Sequence, residues 1–241
     1  MKPVDLIRDA QSEKLTDEDG ERIELSLLPG LDDAGLQAFE ESLPCPLPAE
    51  MREVLRFCRG FESVVADLVD FTGQDMMFEQ RTVFPHGVPI AADGFGNFWV
   101  ADLSPASTTF GPIWFACHDA PIILYQSADA TTFLSELFKA CQPPYESLVD
   151  DVHEDRLRNV WRTNPGVLTY GECAQSTDDL LREFAAALDG SFQIMDLRNA
   201  QPGDGFSWGR YGPQTVLRRH GDLPLFAYQQ KKGFLRRLFG G

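Results

Sequence analysis

The chain has 241 residues, 43% of them apolar and 11% aromatic, enough to bury a proper core, so wholesale disorder is excluded. Lys and Arg number 21 against 37 Asp and Glu, a formal charge of −16. That balance argues against direct nucleic-acid binding, which needs clustered cations, and suits a soluble protein or one whose partner is basic.

The N-terminus, residues 1–24, is charged and acidic, with little apolar periodicity beyond Leu6, Ile7 and Leu15. It reads as a mobile lead-in or a marginal helix. It lacks the apolar run of a signal peptide, and no run reaches membrane-span length, so a reducing cytoplasm is the expected location. The five cysteines, Cys45, Cys58, Cys117, Cys141 and Cys173, form no C-x-x-C pair. They encode neither a zinc ribbon nor a thioredoxin-type site, and each sits among apolar neighbours as a small hydrophobe.

From residue 25 the pattern becomes that of a folded α+β domain. Ile23 to Leu27 alternates as a strand and Pro29-Gly30 stops it. Asp32 or Asp33 caps a predicted helix carrying Leu36, Phe39 and Leu43. Pro48 opens a second helix with Met51, Val54, Leu55 and Cys58 on one face, and Gly60 is placed to end it in a left-handed conformation. Val64 to Val69 reads as a strand. Asp67, Asp70, Asp75 and Glu79 then accumulate around a Gly-containing loop. They lack the spacing that would bring them onto one metal ion, so a solvated or partner-facing acidic edge is expected.

Residues 88–103, VPIAADGFGNFWVADL, read as two strands joined by a reversal at Asp93-Gly94-Phe95-Gly96-Asn97. A phosphate cradle would need a helix after the second glycine, whereas Phe98-Trp99-Val100 is strand material. Gly111-Pro112 opens a second hairpin, Ile113–Cys117 and Ile122–Tyr125, turning at His118-Asp119-Ala120-Pro121. A helix follows from Thr131 or Thr132, with Phe133, Leu134, Leu137 and Phe138 inward, and Pro143-Pro144 ends it. Helices, then sequential strands, then a helix imply a mostly antiparallel sheet flanked by helices.

Four blocks in this order, LPAEMREVLRFCRGFE, IAADGFGNFWVADL, GPIWFACHDAP and SADATTFLSELF, resemble the SUKH superfamily, which includes the yeast Smi/Knr cell-wall regulators and many bacterial immunity proteins. The resemblance spans roughly residues 32–141. Arg59-Gly60 stands where the family usually has Asn-Gly, and residues 142–241 fall outside the pattern. The resemblance implies a small α+β domain that works by binding proteins. It implies no catalytic or cofactor-binding residue. It also implies that Gly60, Asp93, Gly94, Gly96, Asn97, Trp99, Gly111, His118 and Asp119 hold the fold rather than a ligand.

Residues 143–230 read as a C-terminal α+β extension or a second small domain. Tyr145 to Arg162 is helical in pattern, and Thr177-Asp178-Asp179 caps a helix ended by Gly190. Ser191–Leu197 and Leu223–Tyr228 read as strands. Residues 231–241, KKGFLRRLFGG, carry four basic and no acidic residues, leaving 17 basic against 37 acidic residues, a charge of −20, in residues 1–230. So short a segment would hold an anionic membrane only weakly, and self-docking or a loose tail ranks ahead of peripheral membrane contact.

Catalysis finds no support. The four histidines occur singly, and consecutive Cys117-His118-Asp119 on a strand end point to alternate sides, so they form no triad among themselves. With what the resemblance implies, the expectation is a non-enzymatic, cofactor-free immunity protein that meets a cognate protein toxin through an acidic surface. A Smi/Knr-like regulatory scaffold with a cellular partner is the alternative.

Overall fold

The computed structural model describes residues 1–13, 15–62, 66–118, 121–208 and 215–229. Asp119 and the basic segment 231–241 lie outside them.

The N-terminal residues are not a loose lead-in. Pro3 opens helix α1, Pro3–Ser12, and buries Val4, Ile7 and Ala10. A short hairpin of β1, Leu15–Thr16, and β2, Arg22–Ile23, follows, then β3, Ser26–Pro29. Asp32 caps α2, Asp33–Ser42, accepting from Gly35 N at 2.8 Å. Helix α3, Ala49–Phe57, begins after Pro48 and runs directly into β4, Cys58–Glu62.

Gly60 therefore does not end the helix in a left-handed turn. It lies buried inside β4, where an added Cβ would sit 1.9 Å from the Val69 carbonyl oxygen of the neighbouring strand. The glycine is required by close backbone approach, not by positive φ. That neighbour, β5, spans Leu68–Asp70, and Val64 and Val65 of the strand expected here lie outside the described residues.

The two expected hairpins follow, β6 (Gly87–Ala92) with β7 (Phe98–Asp102) and β8 (Ile113–Cys117) with β9 (Ile122–Ser127). Helix α4, Ala130–Lys139, is capped by Asp129. Helices α5, Leu148–Asp151, and α6, Leu157–Thr163, are joined through a π-helical segment, Val152–Arg156. Then come β10 (Val167–Thr169), α7 (Tyr170–Ala174), α8 (Asp179–Ala186), β11 (Phe192–Asp196), β12 (Gly205–Ser207), β13 (Leu217–Arg219) and β14 (Leu225–Gln229).

The fold is α+β with antiparallel sheets. One eight-stranded sheet has the order β12-β9-β8-β7-β6-β5-β4-β3, and a four-stranded sheet the order β10-β11-β14-β13. The C-terminal half is an extension of the first, because β12 adds to the edge strand β9, pairing Phe206 with Ile123.

Alternation along the central strands shows why both layers are needed. Trp99, Phe115 and Leu124 join the core beneath α1, α3 and α4, while Val100, Trp114 and Ile123 join a second core with Phe226 and Tyr228 of β14. Each central strand is thus buried on both faces. Helices α7 and α8 close the outer face of the small sheet through Leu181, Phe184, Ile194 and Leu225.

The layers are pinned by a buried ion pair. Arg219 of β13 grips both oxygens of Asp102 of β7 at 2.8 Å and also donates to the carbonyls of Val83, Asp222 and Leu223. Burial nevertheless pushes the Asp102 carboxyl upward, outweighing the pull of Arg219.

Candidate functional site

The β6–β7 reversal is a rigid platform. Asp93 Oδ1 accepts from the backbone N–H of Phe95 (2.9 Å) and of Asn97 (3.1 Å), and Asp93 Oδ2 accepts from Asn97 Nδ2 at 2.6 Å. Gly94 and Gly96 have φ of 75° and 91°, the left-handed region that glycine enters without strain. Asn97 Oδ1 accepts from His118 N at 3.0 Å, which ties this loop to the turn after β8. His153, on the π-helical segment, packs on Trp99 and Phe115 and places Nε2 3.4 Å from Asp93 Oδ2. Trp99, buried beneath, donates to Gln126 at 3.1 Å.

Gly111 is buried where β8 begins, with the Ala128 carbonyl oxygen 2.7 Å from any added Cβ. Asp93, Asn97 and His118 are thus hydrogen-bonded to one another across the loop and the turn after β8.

A groove of about 610 Å³ opens beside this loop. Leu68, Met76, Phe78 and Phe98 give it an apolar floor, and Asp67, Asp75, Glu79 and His118 stand around it. Three of the four acidic residues singled out in the sequence therefore meet at one exposed edge. Asp67 backs onto the loop, 3.3 Å from where a Gly94 Cβ would be, and Asp75 is held by Arg59.

Asp70 does not belong to the edge. It is fully buried, accepts from Thr72 N (2.9 Å) and Thr72 Oγ1 (2.6 Å), and lies 3.7 Å from Arg59. As the last residue of β5 it shapes the loop that carries Asp75 and offers no surface to a partner.

Two further apolar side chains are exposed, Met77 in the groove lining and Phe95 between the lining residues Gly94 and Gly96. Met77 is 90% exposed and Phe95, at the tip of the locked loop, is 81% exposed. Sequence patterning missed both. The available signal was chemical: Phe95 stands between two turn glycines, and Met76-Met77 follows three aspartates, places where solvated polar residues are the rule.

A second cavity of about 670 Å³ is lined by Asp17, Glu18, Asp150, Asp151, Glu154 and Asp155, without comparable exposed apolar side chains.

Cys117 is buried at the end of β8, and His118 turns Nδ1 toward Asn97 Oδ1 at 3.4 Å. Burial pushes the Cys58 and Cys141 thiols up to about 11, far from the thiolate a nucleophile needs. Among the described residues no group of three or more His, Cys, Asp or Glu is placed to hold a metal ion, and no helix is long and apolar enough to cross a membrane.

The chain was compared with known proteins. Residues 30–136 match the family described as SMI1 / KNR4 family (SUKH-1). No curated protein and no solved structure matched. The matched segment begins at the end of β3, ends within α4, and contains both hairpins, the locked loop and the groove residues just described. Over these residues the chain is similar to the SMI1 / KNR4 family (SUKH-1).

Proposed function

We propose that this chain is a non-catalytic, cytoplasmic immunity protein whose groove beside the β6–β7 loop binds and neutralises a cognate protein toxin. Bacterial members of the superfamily are typically immunity proteins, and the groove fits that work. The observation that carries the reading is the strongly exposed Met77 lining one groove with the carboxylates of Asp67, Asp75 and Glu79, beside a loop whose tip exposes Phe95. Such an edge suits a basic toxin surface: apolar anchors hold the complex, and the carboxylates chiefly accelerate encounter.

Co-expression of the tagged chain with the product of the adjacent gene tests this. A stable complex that restores growth to toxin-expressing cells is expected. Recovery of a housekeeping protein, with no rescue, would instead assign the chain to Smi/Knr-like scaffolds.

A further inference from the structure

A cation of the chain's own already sits at the groove's rim. Arg59, on β4, is largely buried between two carboxylates, Asp70 on β5 and Asp75 in the groove lining. Its Nη2 donates to Asp75 Oδ2, and its Nη1 donates to Gln74 Oε1 at 3.2 Å.

Asp70 is the fixed end of this arrangement. Its Oδ1 is taken by Thr72 N and Thr72 Oγ1. Its Oδ2 is buried, lies 3.7 Å from Arg59 Nη1 and accepts no hydrogen bond among the described residues. A buried carboxylate oxygen without a donor is costly, so Asp70 holds an open place for the guanidinium.

The base of the rim is pinned as well. Gly73 N donates to the Asp70 carbonyl at 3.0 Å, and an added Cβ at Gly73 would lie 2.8 Å from the Pro89 carbonyl oxygen of β6. Beyond that base, Arg59 ties Gln74 and Asp75 back to β4, and Met76 and Met77 follow directly in the chain. Two carboxylates share one guanidinium, so the trio carries one excess negative charge that an outside cation would neutralise.

We propose that Arg59 is a positioning residue that clips the groove rim through Asp75, and that a lysine or arginine side chain of the partner displaces it there. Arg59 then turns to Asp70 Oδ2, and Asp75 takes the partner's cation. Every charge stays paired in the exchange, and the buried acceptor gains the donor it lacks. The clip stands on the geometry alone; its displacement rests on the function proposed above.

Methyl NMR on the full chain with ¹³C-methyl methionine tests the clip with no partner present. Because Arg59→Leu strands the buried Asp70 carboxylate, R59L/D70N, which removes both charges, is measured beside it. The Met76 and Met77 signals are expected to shift and narrow in both variants, while those of the buried Met51 and Met195 stay in place and certify the fold. Met76 and Met77 signals in R59L/D70N that match the wild type would overturn the proposal.

Displacement is read from the affinity of the adjacent gene's product. Asp75→Asn should weaken binding by about threefold or less in the wild type, where the new pair forms at the expense of the Arg59 bond. In R59L/D70N, where the carboxylate is unclaimed, the same substitution should weaken it by about tenfold or more. Equal factors in the two backgrounds would overturn the displacement. Unmoved methyls with a partner still captured at the groove remove the clip and spare the proposed function. Shifted methyls with a partner indifferent to groove substitutions keep the clip and remove that function, and the displacement with it.

Discussion

Asp93 carries a formal charge but spends it on the backbone, receiving three hydrogen bonds within its own loop. Replacing Asp93 with Ala removes both backbone hydrogen bonds that hold the reversal and should cost about 2 kcal/mol, at about 1 kcal/mol for each. The loss is read as a lower thermal midpoint.

The cysteines make a second claim at this scale. Burial holds the Cys58 and Cys141 thiols near 11, against 9.0 ordinarily. A thiol whose folded value lies above its unfolded value contributes stability that is complete below pH 9 and fades as the pH rises through about 11. Denaturant midpoints should be flat between pH 7 and 9 and fall above it. Thiol-reactive dye should label the native chain slowly at neutral pH and quickly once it is unfolded.

The elements show what their sequences could disclose. The caps at Asp32 and Asp178, the two central hairpins and the apolar stripe of α4 follow local rules, and local rules read them correctly, whereas Asp129, the cap of α4, lies before the start expected at Thr131 or Thr132. The short strands β10, β12 and β13 escaped because three residues carry no period. Gly60 misled because a glycine after a helix signals a cap, whereas here tertiary approach of β5 decides.

In the site, the acidic cluster was visible in the sequence. The burial of Asp70 and the exposure of Met77 and Phe95 depend on contacts far apart along the chain.

The Asp102–Arg219 pair also lies between distant elements, separated by 117 residues. Removing Arg219 alone, as in Arg219→Met, strands a buried carboxylate and should destabilise by about 3–5 kcal/mol. The double variant D102L/R219M should recover most of that loss in a denaturation series. Equal destabilisation of the single and double variants would show that the pair matters only for packing.

At the scale of the molecule, two sheets enclose a shared core, and the family's segment presents the groove while the C-terminal half covers the sheet's other face. Among the described residues the groove is lined from the first half of the chain, between Asp67 and His118.

The central claim is that this edge binds the partner. The most direct measurement is the binding kinetics of the adjacent gene's product with the wild type, D67K/E79K and M77A/F95A. All four positions are exposed, so the variants should melt like the wild type. The charge variant should associate about tenfold or more slowly at low salt, with the difference shrinking as salt rises. The apolar variant should dissociate about tenfold or more faster, since anchor residues cost more than about 1 kcal/mol each when truncated. Wild-type rates in both variants would contradict the account and move the interface off this groove.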